Sequence, residues 1–127
     1  MNAITPLDVV KSAHSVSARA LVAYAIVLAA SGTYLYVRNK DLPGIFRRAY
    51  WGLFGLTALQ GLLGLLAFAL GGRPTEFVHI AYGLFALIFL SGAYISSSPR
   101  PHRNETLILA IALWVVTVAY VRGIVTG

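Results

Sequence analysis

The chain has 127 residues, 58% of them hydrophobic and only 11% charged, with a mean hydropathy of +0.77. Soluble domains sit far from that balance, so a soluble enzyme or binding module is excluded and an integral membrane protein remains. The formal charge of +6 does not point to nucleic acid, because the basic residues flank apolar blocks, where positive charge sets orientation and meets anionic headgroups.

The apolar residues fall into four uncharged blocks, 20–37, 49–72, 77–99 and a shorter 106–121 that ends at Arg122. A helix needs about 20 residues to cross the hydrocarbon layer, and in lipid the backbone must satisfy its own hydrogen bonds. The expected fold is therefore all-α: a single transmembrane domain over 1–127, with helices at about 8–37, 47–71, 75–97 and 104–123. Arg122 is long enough to snorkel to the interface.

Met1 to Lys11 has no basic segment followed by an apolar stretch and a cleavage site, so a cleaved signal peptide is not expected. Pro6 marks the start of the first helix. Asp41-Leu42-Pro43-Gly44, Gly71-Gly72-Arg73-Pro74 and Ser98-Pro99-Arg100-Pro101 punctuate the chain, and Thr75-Glu76 has the composition of a third helix start. Connections this short make consecutive helices antiparallel, which predicts an up-down-up-down bundle. No repeat of a soluble-protein type is evident.

The first and third loops hold Arg38, Lys40, Arg47, Arg48, Arg100 and Arg103, against Lys11, Arg19, Arg73 and Arg122 on the other side. The positive-inside tendency then places both termini outside, in the inner membrane of a bacterium or archaeon. There are no cysteines, which excludes disulfides, iron–sulfur clusters, thiolate zinc sites and covalent haem attachment. Met1 is the only methionine, so any metal depends on histidine or carboxylate.

Of the three histidines, His102 lies in the charged run Arg100 to Arg103 and reads as a solvated loop residue. His79 lies just inside the third helix, and an ionisable residue there is by default a functional candidate. His14 lies 24 residues before Arg38 and His79 lies 21 before Arg100, on helices of the same direction. A three-residue difference is ~4.5 Å of rise, so the two imidazoles share one depth to within a turn.

Small residues continue below both histidines. Ala18, Ala25, Ala29 and Gly32 follow His14, and Gly83, Ala86, Ala93 and Ser97 follow His79 around Leu90. The second helix adds Thr57, Gln60, Gly61 and Gly64. Such seams allow close helix packing and equally leave room for a flat cofactor; the pattern does not separate the two. Between helices, two neutral imidazoles suit the iron of a non-covalent b-type haem, whose propionates would look for Lys11, Arg19 or Arg73. Asp8 and Glu76 leave a histidine–carboxylate metal site as a weaker option.

The runs His14-Ser15-Val16-Ser17-Ala18-Arg19, Leu59-Gln60-Gly61-Leu62-Leu63-Gly64 and His79-Ile80-Ala81-Tyr82-Gly83 resemble one half of haem A synthase. That family has two four-helix halves, each placing one histidine on each of two helices as a haem-ligand pair. The resemblance covers roughly residues 8–97. It implies His14 and His79 as axial ligands, with Gln60, Gly61 and Gly64 lining the pocket.

The departures bear on activity. Lys11 stands where the oxidising half of the family has a glutamate, Ser15 stands in place of an arginine, and the family's cysteine pair is missing. Within this chain no helix precedes His14, while a fourth follows the third, and its end at 120–127 faintly resembles the family's usual first helix. The expected function is a cytochrome b-like electron-transfer protein with bis-His haem ligation near the outer face. The alternatives are a structural or assembly subunit of a respiratory or photosynthetic complex, and a haem A synthase-type enzyme, which Lys11 weakens. Self-association, or membership of such a complex, accompanies these readings.

Overall fold

The computed structural model describes residues 3–74, 76–97 and 102–127, without the side chain of His102. Among the described residues there are four helices and no strand: α1 Pro6–Val37, α2 Gly44–Ala69, α3 Val78–Ser97 and α4 His102–Thr126. Each is long and apolar enough to cross a membrane.

Local chemistry sets the helix ends. Thr5 caps α1 through a reciprocal box, in which Thr5 Oγ1 accepts from the Asp8 amide at 3.2 Å and Asp8 Oδ2 accepts from the Thr5 amide at 3.0 Å. Past the end of α1, Asn39 takes a φ of 52°, a left-handed turn that asparagine tolerates. After α2, Gly71 has a φ of 100° while the Gly72 amide returns to the Ala67 carbonyl at 2.8 Å, a glycine-dependent helix stop.

Two starts differ from the sequence reading. α2 begins at Gly44, not 47, because Pro43 supplies the extended residue before the first turn and Arg47 and Arg48 lie inside the helix. α3 begins at Val78, not at 75–76. Glu76 instead sends its amide to the Thr126 carbonyl of α4 at 3.0 Å, while its own carbonyl accepts from the His79 amide at 3.1 Å. Thr75 lies outside the described residues.

The helices form a ring in the order α1, α2, α3, α4. α4 packs extensively on both α1 and α3, α1 also on α2, and α2 only lightly on α3. This leaves α1 opposite α3 and α2 opposite α4 across the bundle. Leu21, Ala25 and Leu28 of α1, Leu53 of α2, Leu90 of α3 and Leu109, Leu113 and Val116 of α4 fill the centre. Gly32 permits the α1–α4 approach, since a Cβ there would lie 3.2 Å from Phe46 Cζ and 3.4 Å from Ala110 Cβ.

The small-residue seams divide. Ala25, Ala29, Gly32, Ala86 and Ser97 are buried, whereas Gly83 is exposed. The outer surface is apolar: Leu62, Ile88, Ile95 and Val118 are each more than 60% exposed. In α3 only 11% of the apolar stretch is buried within the protein.

Polar side chains cross the interior as ties. Tyr50, fully buried, donates its hydroxyl to the Leu90 carbonyl at 2.6 Å, and Tyr24 donates to the Ala49 carbonyl at 2.6 Å. Thr57 donates to the Leu53 carbonyl at 2.7 Å, so its oxygen is left to accept from the Tyr120 hydroxyl at 2.5 Å, a tie across the diagonal from α2 to α4. At the end of the bundle where α2 and α4 begin, Arg47 pairs with the buried carboxylate of Glu105.

Candidate functional site

His14 is in the third turn of α1 and His79 in the first turn of α3, on opposite helices of the ring. The fold nevertheless brings them together. Their ring centroids are 5.8 Å apart, with the planes at 75°. Both are half-buried.

Each histidine is held by the helix next to its own. His14 Nδ1 lies 3.2 Å from the Gln60 carbonyl of α2, and His79 Nδ1 lies 2.8 Å from the Gly123 carbonyl of α4. A carbonyl oxygen only accepts, so each Nδ1 carries the proton and each Nε2 keeps its lone pair. A backbone carbonyl behind one ring nitrogen, with the other nitrogen free to ligate, is the support that metal-bound histidine ordinarily receives.

Gln60 holds α1 by its side chain as well. Its Nε2 donates to the His14 carbonyl at 2.7 Å, and its Oε1 accepts from the Ser17 hydroxyl, which also reaches the His14 carbonyl at 3.2 Å. On the other side, Thr126 donates to the Arg122 carbonyl at 2.8 Å and places its oxygen 3.4 Å from His79 Nδ1.

The glycines separate by role. A Cβ on Gly64 would come within 3.0 Å of His14 Cε1, so the imidazole occupies the space that this glycine leaves. Gly127 does the same for His79, where a Cβ would come within 2.8 Å of Cε1. Gly61 and Gly83 are exposed, and a Cβ on either would meet nothing within 4 Å.

The three candidate cations differ too. Lys11 and Arg19 are exposed on α1, on either side of His14 in sequence. Arg73 is engaged: its guanidinium donates to the Phe68 and Gly72 carbonyls and lies 4.0 Å from the centroid of the Phe68 ring.

Sequence reasoning passed over Gly123, Gly127, Thr126 and Ser17. A signal for some of them is present as a spacing of 63 residues that carries Trp51 to Trp114, Gln60 to Gly123 and Gly64 to Gly127. The α3–α4 pair thus repeats the clamp of the α1–α2 pair. In both, a histidine meets a carbonyl on the following helix, and the residue four positions beyond that carbonyl is glycine.

Compared with models of known protein families, with curated proteins and with solved structures, the chain matches none. The functional reading therefore rests on the site itself.

Two imidazoles at this spacing could hold a haem iron between them. Metal–imidazole bonds of about 2.0 Å on opposite sides of one centre, with the ring radii added, put two imidazole centroids about 6 Å apart. The observed 5.8 Å is close to that. Among the described residues no group of three histidine, cysteine or carboxylate side chains comes together. Two imidazoles alone leave a metal ion short of ligands, which a macrocycle carrying its own four nitrogens makes good.

Proposed function

We propose that the chain is a membrane-spanning, haem-binding, cytochrome b-like protein, in which His14 and His79 would hold one b-type haem that would serve electron transfer. The observation that carries this reading is the pair of Nδ1–carbonyl contacts, which leaves two Nε2 lone pairs on adjacent rings. Simple packing of two histidines does not require both to adopt that tautomer at that spacing.

The four helices span the bilayer in an up-down-up-down arrangement. Contacts supporting this include Tyr24 with Ala49 between α1 and α2, Tyr50 with Leu90 between α2 and α3, and Arg103 with the Tyr36 carbonyl between α4 and α1. The first two join the early part of α2 to the middle of α1 and to the later half of α3, and the third joins the start of α4 to the end of α1. By the distribution of basic residues, the histidines lie toward the outer face and both termini outside.

Haem, when bound, would supply the one-electron couple. The protein's residues supply the rest. The Gln60 and Gly123 carbonyls fix both imidazoles in one tautomer and raise their basicity as ligands. Gln60 and Ser17 hold the backbone of α1 at His14. Lys11 and Arg19 are free to approach carboxylates at the interface. Both histidines would be taken up in holding the haem, which favours electron transfer over oxidation chemistry.

The test is the optical spectrum of the protein purified from membranes of haem-replete cells. Sharp α and β bands on reduction, with one haem per chain, are expected. A colourless protein that also fails to take up added haemin removes this reading and leaves the structural-subunit alternative.

A further inference from the structure

A groove of about 580 Å³ opens between the end of α1 and the start of α2, walled by Leu28, Tyr34, Leu35, Pro43, Ile45 and Phe46. It is an open surface groove, and its walls are almost wholly apolar. Two cations stand near residues of this wall. The Lys40 ammonium lies over the Tyr34 ring, 5.9 Å from its centroid, and Arg48 Nη1 lies 3.8 Å from where a Cβ on Gly44 would stand. Gly44 separates the two wall residues Pro43 and Ile45.

The other cations of this end divide in their use. Arg47 is committed to Glu105, and Arg103 is bound to the Tyr36 carbonyl and Asn39 Oδ1. Asp41 is the one acid in the connection that also carries Arg38 and Lys40. The start of α2 adds to the positive field: Pro43 provides no side-chain cap, and no acidic residue stands in the first turn.

We propose that this groove is a binding site for an anionic phospholipid, with an acyl chain along the apolar wall and the phosphate between Lys40 and Arg48. The inference rests on the membrane-spanning reading given above. Charge complementarity selects this occupant. An apolar slot with two cations near its wall matches a lipid with a negative headgroup, and anionic headgroups gather on the face where basic loops lie. A quinone exchanging electrons with the histidine site fits poorly, because Ser31 in the groove wall is 17 residues along α1 from His14, about 25 Å of helix.

The test is native mass spectrometry of the full chain released from nanodiscs of mixed phosphatidylglycerol and phosphatidylcholine. One phosphatidylglycerol should be retained in preference to phosphatidylcholine. Lys40→Gln and Arg48→Gln should each lower that preference about fivefold, the effect of one cation near an anionic headgroup. Ser31→Phe, an exposed position in the groove wall, should remove retention by filling the slot, while free glycerol phosphate should not compete. Arg19→Gln, at the opposite end, should leave retention unchanged.

Equal retention of the two lipids by the wild-type chain overturns the proposal, as does undiminished retention in Ser31→Phe. So does a lipid-free dimer that Ser31→Phe dissociates, which would make a second copy the occupant. Failure of the membrane reading is distinguishable, because the chain would then not enter nanodiscs of either lipid.

Discussion

Gly64 and Gly127 stand in the same relation to the two histidines: each lies four residues beyond the carbonyl that binds the imidazole, and in each the missing Cβ is replaced by the ring's Cε1. The pairing of α1 with α2 is thus repeated by α3 with α4, and the two imidazoles meet where the halves face each other. Gly64 sits where a ring approaches a helix backbone, and Gly127 lies just past the end of α4, where a Cβ would also come within 2.9 Å of the Gly123 carbonyl.

Gly64→Ala should therefore displace His14, with a cost of about 1–3 kcal/mol from overpacking. Gly61→Ala, three positions away, should change stability by no more than about 0.5 kcal/mol, because its surroundings are open. Thermal unfolding in detergent and pigment content, measured side by side, check the contrast. Equal losses in both variants would mean that the helix itself, and not the imidazole, requires glycine.

That contrast marks how far the sequence could be read. The four blocks, the connections and the common depth of His14 and His79 follow from counting residues along helices of fixed rise. Which glycine meets a ring does not. Gly61 and Gly64 differ by three positions, nearly one turn, and only the rotation of α2 against α1 decides which faces His14. The starts of α2 and α3 differ from the sequence reading for another reason. Charge reports where a segment leaves an apolar environment, whereas Pro43 and the backbone decide where the helix begins. Arg47 and Glu105 lie inside helices because they neutralise each other.

Gln60 should prove a positioning residue. Gln60→Leu keeps the backbone carbonyl that holds His14 Nδ1 but removes the side-chain bonds to the His14 carbonyl and Ser17. A loss of about 1 kcal/mol is expected from those bonds. If the side chain matters only for packing, unfolding will shift while the low-spin bands and the midpoint potential stay constant. A shifted potential in Gln60→Leu, recovered in Gln60→Asn, indicates that the clamp sets the orientation of His14.

The Arg47–Glu105 pair makes a prediction about stability alone. The Glu105 side chain is 7% exposed and that of Arg47 36%, so the arginine retains part of its hydration. Glu105→Ala should cost about 2 kcal/mol, less than the 3–5 kcal/mol typical of breaking a fully buried pair. The double variant Arg47→Met with Glu105→Leu should recover most of that loss, since no buried charge is left unpaired. Unfolding in detergent measures both. The pigment spectrum should be unaffected, because this pair lies at the far end of the bundle from the histidines.

Orientation is checked separately. A cysteine introduced at Asn39 in this cysteine-free chain should resist an impermeant thiol reagent applied to the outer face and react once the membrane is opened. Labelling from outside without permeabilisation would invert the topology, although His14 and His79 would still share one face.

The sharpest expectation concerns the histidine pair. His14→Ala and His79→Ala should each abolish the six-coordinate low-spin spectrum, since each removes one of only two axial donors, and no cysteine is present to replace it. His14→Gly should leave a space of imidazole shape against Gly64, and added imidazole should restore the low-spin bands there. The same addition should do nothing for a variant in which the bundle has failed to assemble, which separates loss of a ligand from loss of fold. His102→Ala should leave the spectrum intact. The two clamps are also of unequal length, 2.8 Å at His79 and 3.2 Å at His14. The Gly123 carbonyl remains in His79→Gly to accept from added imidazole, so rescue should occur there as well. An unaltered six-coordinate spectrum in His14→Ala would show that the 5.8 Å approach of the two rings serves packing and not ligation.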